Sequence, residues 1–187
     1  MKTIGLIGGM SWESTITYYQ VINEVVKDQL GGLHSAQVLL YSVDFFEIEQ
    51  CQAKGEWDKS ADILANAAHN LEIAGADFIV ICANTMHKVV APIQKRITIP
   101  IIHVAEAPAE ELKIQNITQI ALLGTKYTMT QDFYKEKLIF KGIDVIIPDE
   151  GDVELINRII YDELCRGIIS EQSRHECLRI IELLAKK

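Results

Sequence analysis

The side chains best suited to chemistry lie in the segment 81–87 (Ile-Cys-Ala-Asn-Thr-Met-His), at the end of a β-branched run. Cys82 supplies a thiol, Asn84 an amide and Thr85 a hydroxyl. Ligands of open parallel sheets bind at the carboxyl ends of strands, so Asn84 and Thr85 are candidates to hold a carboxylate or an amine. The same two residues suit an N-cap of the next helix, with His87 as a satisfied core or surface residue. Both interpretations remain open on these residues alone.

Two glycine-containing segments are further candidates for binding an anion. Residues 8–11 (Gly-Gly-Met-Ser) and 124–128 (Gly-Thr-Lys-Tyr-Thr) each stand where a strand-like run passes into a helix-like run. Backbone N–H groups at such a junction can face a carboxylate or a phosphate. Neither segment has the spacing of a dinucleotide-binding or Walker loop, so a plain tight turn explains them equally well.

Arg166 ends a helical run immediately before Gly167. Its guanidinium can bond the last carbonyls of that helix or pair with the carboxylate of an acidic substrate, and the residue types alone favour the first role. Cys51 and Cys177 have no basic partner near them in sequence, which is typical of structural thiols. The four cysteines form no C-x-x-C pattern, so neither a metal site nor a thioredoxin-type motif is predicted.

The elements that must position these residues alternate along the chain. Six β-branched runs have the pattern of buried parallel strands: 3–8, 37–42, 77–81, 101–104, 119–124 and 144–148. Helical periodicity covers seven runs: 15–30, 57–74, 85–95, 105–113, 131–140, 154–166 and 170–185. Strand followed by helix, repeated in this way, predicts an α/β fold with parallel sheets.

An internal repeat relates the two halves of the chain. Residues 4–18 can be laid on residues 120–134, with residue 4 on residue 120 and a constant offset of 116. Each copy has a strand, a glycine at its carboxyl end, a loop with hydroxyls and a helix with an aromatic pair, Tyr18-Tyr19 or Phe133-Tyr134. Strand-glycine-helix turns are common enough for chance to supply such a match. If the repeat is real, the chain has two similar α/β lobes.

The repeat also predicts that the second lobe lacks its C-terminal part. In the first half, the helical run 57–74 is followed by a strand and the polar turn 82–85. In the second half, only Lys186-Lys187 follows the helical run 170–185, and the equivalent turn would fall at 198–201.

Composition excludes several classes of protein. The chain has 187 residues, 49% of them hydrophobic, a formal net charge of −8 and a pI near 5.1. An acidic chain without a Lys/Arg cluster is not expected to bind nucleic acid. No apolar stretch has the length of a membrane span, and no cleavable signal precedes the first strand. We therefore expect a soluble cytoplasmic protein with reduced thiols and no membrane partner.

Three segments form an ordered set of motifs: 4–15 (IGLIGGMSWEST), 84–88 (NTMHK) and 123–129 (LGTKYTM). Together they resemble the aspartate/glutamate racemase family, especially its bacterial broad-specificity branch, and the resemblance covers the whole chain. It implies two pseudo-symmetric α/β lobes with parallel sheets and an active site in the cleft between them. We place the lobes at residues 1–97 and 98–187.

The resemblance implies an isomerase that inverts the α-carbon of aspartate or glutamate without pyridoxal phosphate or any other cofactor. In such a two-base reaction, one group removes the α-proton and another delivers a proton to the opposite face. In the family these groups are usually two Cys thiols, one directly before Asn-Thr and one in a Gly-Cys-Thr-Glu motif. A small acidic amino acid is the implied ligand, and a homodimer is the implied assembly.

Residue by residue, the resemblance assigns substrate binding to Met10, Ser11, Asn84, Thr85, Gly124, Thr125, Thr128 and Arg166. The Asn-Thr turn and the Gly-Thr loop would stabilise the charge that develops on the substrate carboxylate. Arg166 or another cation would pair with the distal carboxylate.

The chain departs from the family pattern at both acid/base positions. Ala83 stands where the family has its first acid/base group, and it has no side-chain proton to exchange. Cys82 is one position earlier, where a strand side chain points to the opposite face, so it is a poor substitute. No Gly-Cys-Thr-Glu motif occurs in these 187 residues. Slow or absent racemisation by this polypeptide is the expectation.

Two alternatives to an amino-acid racemase follow from these departures. One is a non-catalytic protein that binds acidic amino acids. The other is a sister activity of the superfamily, such as a hydantoin racemase, a maleate isomerase or an arylmalonate decarboxylase. The motifs at 10–13 (Met-Ser-Trp-Glu) and 85–87 (Thr-Met-His) favour the amino-acid racemase branch.

Overall fold

The alternation of strand and helix builds two α/β units in the computed structural model, which describes all of residues 1–187. Unit 1 is Met1–His103 and unit 2 is Val104–Lys187. Every strand pair in both units is parallel, so the predicted α/β fold with parallel sheets is confirmed.

Unit 1 contains four strands and four α-helices. The strands are β1 (Thr3–Gly8), β2 (Gln37–Ser42), β3 (Phe78–Ile81) and β4 (Ile101–Ile102). The helices are α1 (Trp12–Leu30), α2 (Phe45–Lys54), α3 (Trp57–Ile73) and α4 (Val90–Gln94), with a 3₁₀ turn at Thr85–Val89 leading into α4.

The sheet of unit 1 has the strand order β2-β1-β3-β4. Ile7 of β1 pairs with Tyr41 of β2 on one side and with Ile81 of β3 on the other. Parallel strands in register end at the same edge, so the segments that follow β1 and β3 emerge side by side.

The core of unit 1 is formed largely by α3. Its buried residues include Ala61, Leu64, Ala68 and Leu71, which recur at the three- and four-residue spacing of one helix face. They belong to one cluster with the sheet residue Ile79. By contrast, α1 fully buries only one residue, although it has several apolar side chains.

Unit 2 contains two strands and five α-helices. The strands are β5 (Gln119–Ala121) and β6 (Asp144–Ile146). The helices are α5 (Glu106–Ile114), α6 (Lys126–Thr130), α7 (Asp132–Ile139), α8 (Glu150–Asp162) and α9 (Glu171–Leu184). One buried cluster includes Leu138 and Ile143, and a second includes Met129, Ile156 and Ile180.

Two helices are absent from the sequence-based prediction. The first, α2, starts after Asp44, whose carboxylate accepts a hydrogen bond from the Phe46 N–H at 3.0 Å. The second, α6, has only five residues and lies within a stretch predicted as a polar loop.

Three predicted helices were wrong in extent. The run 15–30 begins earlier, because α1 starts at Trp12. The run 85–95 forms a 3₁₀ turn and the five-residue helix α4 instead of one helix. The run 154–166 begins earlier, because the Asp149 carboxylate accepts from the Asp152 N–H and caps α8. It also ends earlier, with a separate 3₁₀ turn at Leu164–Arg166. None of the helices combines the length and the apolar character that a membrane span requires.

Candidate active site at the carboxyl edge of the first sheet

The segments that follow β1 and β3 are tied together by hydrogen bonds. The Cys82 N–H donates to the Ile7 carbonyl at 2.9 Å, which continues the pairing of the two strands. The Ser14 hydroxyl lies 3.1 Å from the Cys82 carbonyl and 2.9 Å from the Ser11 carbonyl. The first turn of α1 is therefore fastened to the end of β3. We call this region, residues 8–15 and 82–87, the unit 1 edge.

The turn after β1 requires its two glycines. Gly9 has a φ of +91°, and a side chain there would collide with the Val43 carbonyl. A Cβ at Gly8 would overlap Thr15, which packs directly over it. The Met10–Ser11 peptide bond that follows is cis, and both residues are buried.

The polar groups of this turn are used within it. The Gly9 N–H donates to Thr15 Oγ1 at 3.0 Å, and Thr15 Oγ1 donates to the Ser11 carbonyl at 3.1 Å. Of the two interpretations of residues 8–11, the tight turn applies to Gly9, because its N–H donates within the turn and does not face an anion. Ser11 is the N-cap residue of α1, but its side chain makes no capping hydrogen bond.

The turn after β3 presents its amide to solvent. Asn84 is exposed and occupies the cap position of the 3₁₀ turn without a side-chain hydrogen bond to it. The capping interpretation is therefore wrong for Asn84. Thr85 is buried, and Ala83, which directly precedes Asn84, is half-buried.

His87 holds the backbone of this turn. Its Nδ1 lies 2.8 Å from the Ala83 carbonyl, and its N–H donates to the Asn84 carbonyl at 3.1 Å. The ring also meets His103 edge-on, with centroids 4.5 Å apart. Both histidines are buried, so the interpretation of His87 as a satisfied core residue is confirmed.

Cys82 is fully buried at the end of β3. Burial disfavours the thiolate and raises the pKa of Cys82 to about 12. A thiol with this pKa is protonated at neutral pH and is a weak candidate for a general base.

Sequence reasoning missed three residues that shape this edge. Ser14 and Thr15 were noted only as loop hydroxyls, whereas they join α1 to both strands. Gln52 is buried on α2, and its Nε2 lies 3.1 Å from Met86 Sδ. No signal pointed to Gln52, because α2 itself was not predicted.

In unit 2, the candidate residues of the Gly-Thr loop form the start of α6. Thr125 caps this helix by accepting from the Thr128 N–H at 3.3 Å, and the two hydroxyls are 3.2 Å apart. Thr128 is fully buried, and Gly124 packs against its side chain. Arg166 is exposed at the end of its 3₁₀ turn. The substrate-binding roles of these four residues stay predictions.

Comparisons with known proteins agree with this architecture. A profile of the Asp/Glu/Hydantoin racemase family matches residues 7–187. The broad specificity amino-acid racemase RacX of Bacillus subtilis (strain 168) is 24% identical over 162 residues, which cover 84% of this chain and 69% of RacX.

Two solved structures extend the likeness to three dimensions. A protein from Yersinia pestis assigned to the Asp/Glu racemases is 58% identical with a TM-score of 0.89, over 100% of this chain and 81% of that one. An aspartate racemase homologue from Pyrococcus horikoshii OT3 is 36% identical with a TM-score of 0.82, over 100% of this chain and 80% of that one.

The fold and these matches define a class of protein, the amino-acid racemases, which are isomerases. Within that class, the chain belongs to the Asp/Glu/Hydantoin racemase family. The family resemblance drawn from the three sequence motifs is thereby confirmed.

Proposed function

We propose that this chain binds aspartate or glutamate at the unit 1 edge and takes part in a cofactor-independent, two-base racemase reaction. The observation that carries the proposal is the hydrogen bond from Ser14 to the Cys82 carbonyl, which brings two family motifs to one edge. The family match over residues 7–187 supplies the reaction class.

The unit 1 edge offers donors suited to a carboxylate. The exposed Asn84 amide and the Thr85 hydroxyl follow one strand, and Ser11 follows its neighbour. Because the chain carries a net charge of −8, an anion must be attracted by such local donors and not by the overall field. Hydrogen bonds to a charged carboxylate contribute about 1.5–3 kcal/mol each.

The same donors suit the chemistry of α-proton transfer. Removal of the weakly acidic α-proton places charge on the adjacent carboxylate, and fixed donors stabilise that charge. A proton must also leave one face of the carbon and arrive at the other. Ala83 has no group to do either, and the Cys82 thiol remains protonated at neutral pH. We therefore propose that binding is retained and that proton transfer is slow.

Calorimetric titration with aspartate and with glutamate tests the binding step. Asn84→Ala removes the exposed amide and should weaken binding about tenfold or more. Asn70→Ala, a matched change on the exposed surface of α3, should leave the affinity unchanged. Equal affinities for the wild type and Asn84→Ala would place the ligand elsewhere.

Exchange of the α-proton in heavy water, with chiral analysis of aspartate and glutamate, tests the chemical step. Exchange by the 187-residue chain should be close to the rate in buffer, since losing one acid/base group removes about 10²–10⁴-fold of assistance. Ala83→Cys alone should not restore turnover, because these residues contain no Gly-Cys-Thr-Glu motif. Rapid exchange by the unmodified chain would show that another group acts as a base.

A further inference from the structure

Two side-chain atoms of the chain are buried without a hydrogen-bond partner, and both are carboxylate oxygens. They are Glu13 Oε2 and Glu163 Oε2. In Glu163 the other oxygen accepts from the Ser173 hydroxyl at 2.7 Å, so this carboxylate is partly satisfied. Glu13 has no side-chain hydrogen bond and no ion pair, which makes it the less satisfied of the two.

Glu13 lies at the unit 1 edge. It is the second residue of α1, after the buried Ser11 and directly before the half-buried Ser14. The Ser14 hydroxyl reaches the Cys82 carbonyl, directly before Ala83 and Asn84. The unsatisfied carboxylate is therefore carried on the helical turn that is fastened to the proposed binding residues.

An enclosed carboxylate oxygen without a donor is unfavourable, because the solvation it loses on burial is not replaced. The N-terminus of α1 offers partial compensation through its dipole. Full compensation requires a donor, preferably a cationic one. No lysine or arginine of the chain forms an ion pair with Glu13.

The ligand proposed for this edge carries such a donor. An amino acid has an α-ammonium group, with three N–H donors and a positive charge, next to the carboxylate that Asn84 and Thr85 are suited to bind. A carboxylate and an ammonium group form charge-assisted hydrogen bonds.

We propose that Glu13 binds the α-ammonium group of the acidic amino acid. This inference rests on the proposed function and adds a division of roles: Asn84 and Thr85 bind the carboxylate, and Glu13 recognises the amine. Glu13 then distinguishes an acidic amino acid from a dicarboxylic acid of similar length that lacks the amine.

The test compares aspartate with succinate, which has two carboxylates and no amine, by calorimetric titration at one pH and salt concentration. The wild type should bind aspartate about tenfold or more tightly than succinate, as expected for a charge-assisted hydrogen bond. Glu13→Gln should bind aspartate about tenfold more weakly than the wild type does. Its affinity for succinate should change by less than about twofold.

Two further variants sharpen the test. Glu163→Gln alters the other unsatisfied carboxylate, which lies in unit 2, and should leave both affinities unchanged. Glu13→Asp keeps the charge on a shorter side chain and should retain part of the preference for aspartate. Circular dichroism of each variant verifies that it is folded.

The outcomes separate this inference from the function on which it rests. If the wild type binds neither aspartate nor succinate, the proposed function fails and the role of Glu13 fails with it. If the wild type binds the two equally, the proposed function stands and the role of Glu13 is overturned without reference to any variant. If Glu13→Gln weakens the affinity for aspartate and for succinate equally, the role of Glu13 is purely structural.

Discussion

In the turn after β1, the covering threonine, Thr15, lies seven residues beyond Gly8, whereas in the turn after β5 the covering threonine, Thr128, lies four residues beyond Gly124. Thr15 packs over Gly8, and Thr128 packs over Gly124. Thr15 Oγ1 accepts from a backbone N–H of the turn itself, and the Thr128 hydroxyl faces the hydroxyl of the helix cap, Thr125.

The difference shows that one sequence pattern can be stabilised in two ways. The turn after β5 is mostly local, since its glycine, cap and covering threonine all lie within residues 124–128. The turn after β1 depends on distant segments, because Gly9 lies against the backbone of Val43 and Ser14 reaches Cys82. Matched changes in the two turns should therefore have unequal effects.

The largest expected difference is between Gly9→Ala and Gly124→Ala. A Cβ at Gly9 meets backbone at a positive φ, and we expect a loss of more than about 3 kcal/mol in unfolding free energy. A Cβ at Gly124 lies 3.2 Å from Thr128 Cβ, where a small shift is sufficient, and about 1 kcal/mol is expected.

Urea unfolding can follow each change in its own unit. Both tryptophans of the chain lie in unit 1, so their fluorescence reports on Gly9→Ala. Hydrogen exchange at α6 and α7 reports on Gly124→Ala. Equal losses in the two variants would contradict the distinction between a distant and a local turn.

Thr15→Val and Thr128→Val form the second pair. Thr15→Val keeps the shape that covers Gly8 but leaves the buried Gly9 N–H without its acceptor, at a cost of about 2 kcal/mol. Thr128→Val keeps the backbone cap from Thr125 and should cost about 1 kcal/mol. The same unfolding measurements apply, and a larger loss for Thr128→Val would reverse the comparison.

Alkaline pH should affect the unit 1 edge through Cys82. Because burial raises the pKa of Cys82 to about 12, the neutral thiol stabilises the fold fully below the ordinary thiol pKa. This contribution is lost as the pH rises from about 9 toward 12. Between pH 8 and pH 10 we expect the wild type to lose about 1.4 kcal/mol more than Cys82→Ala. Parallel pH profiles of unfolding free energy for the two proteins would argue against a buried neutral thiol.

The smallest expected difference within a pair of variants concerns the helix caps. Thr125→Ala removes a side-chain acceptor from the first turn of α6 and should cost about 1 kcal/mol. Ser11→Ala removes no capping hydrogen bond from α1 and should cost less than about 0.5 kcal/mol. Thermal unfolding by circular dichroism measures both, and a greater loss for Ser11→Ala would reveal a contact of its hydroxyl with another group.

The elements that sequence patterns predicted best are those with long, regular patterns. The predicted strand 3–8 matches β1, and the predicted helix 57–74 matches α3 to within one residue. The two missed helices are short. A helix as short as α6 is unstable alone, because nucleation costs more than a few hydrogen bonds return. It is stabilised by the Thr125 cap and by burial of Met129, which no local pattern reveals.

The candidate site was predicted from the residues that follow strands. Asn84 and Thr85 were found in this way, and the structure places them at the edge shared by β1 and β3. The roles of Ser14 and Thr15 could not be predicted, because their partners are set by how α1 meets two strands. The role of Glu13 could not be predicted either, although the residue belongs to the motif at 10–13, since an acidic residue in the first turn of a helix is ordinary.

By itself, the sequence determined the order of the strands and of most helices, the parallel α/β class and the family, because these depend on local periodicity and on motifs that keep their order along the chain. Only the tertiary structure decided that the Gly9 N–H donates to Thr15, that the Cys82 thiol is fully buried and that a Glu13 oxygen has no hydrogen-bond partner. Each of these depends on burial, and burial is decided by segments far apart in sequence that meet only when the sheet is assembled.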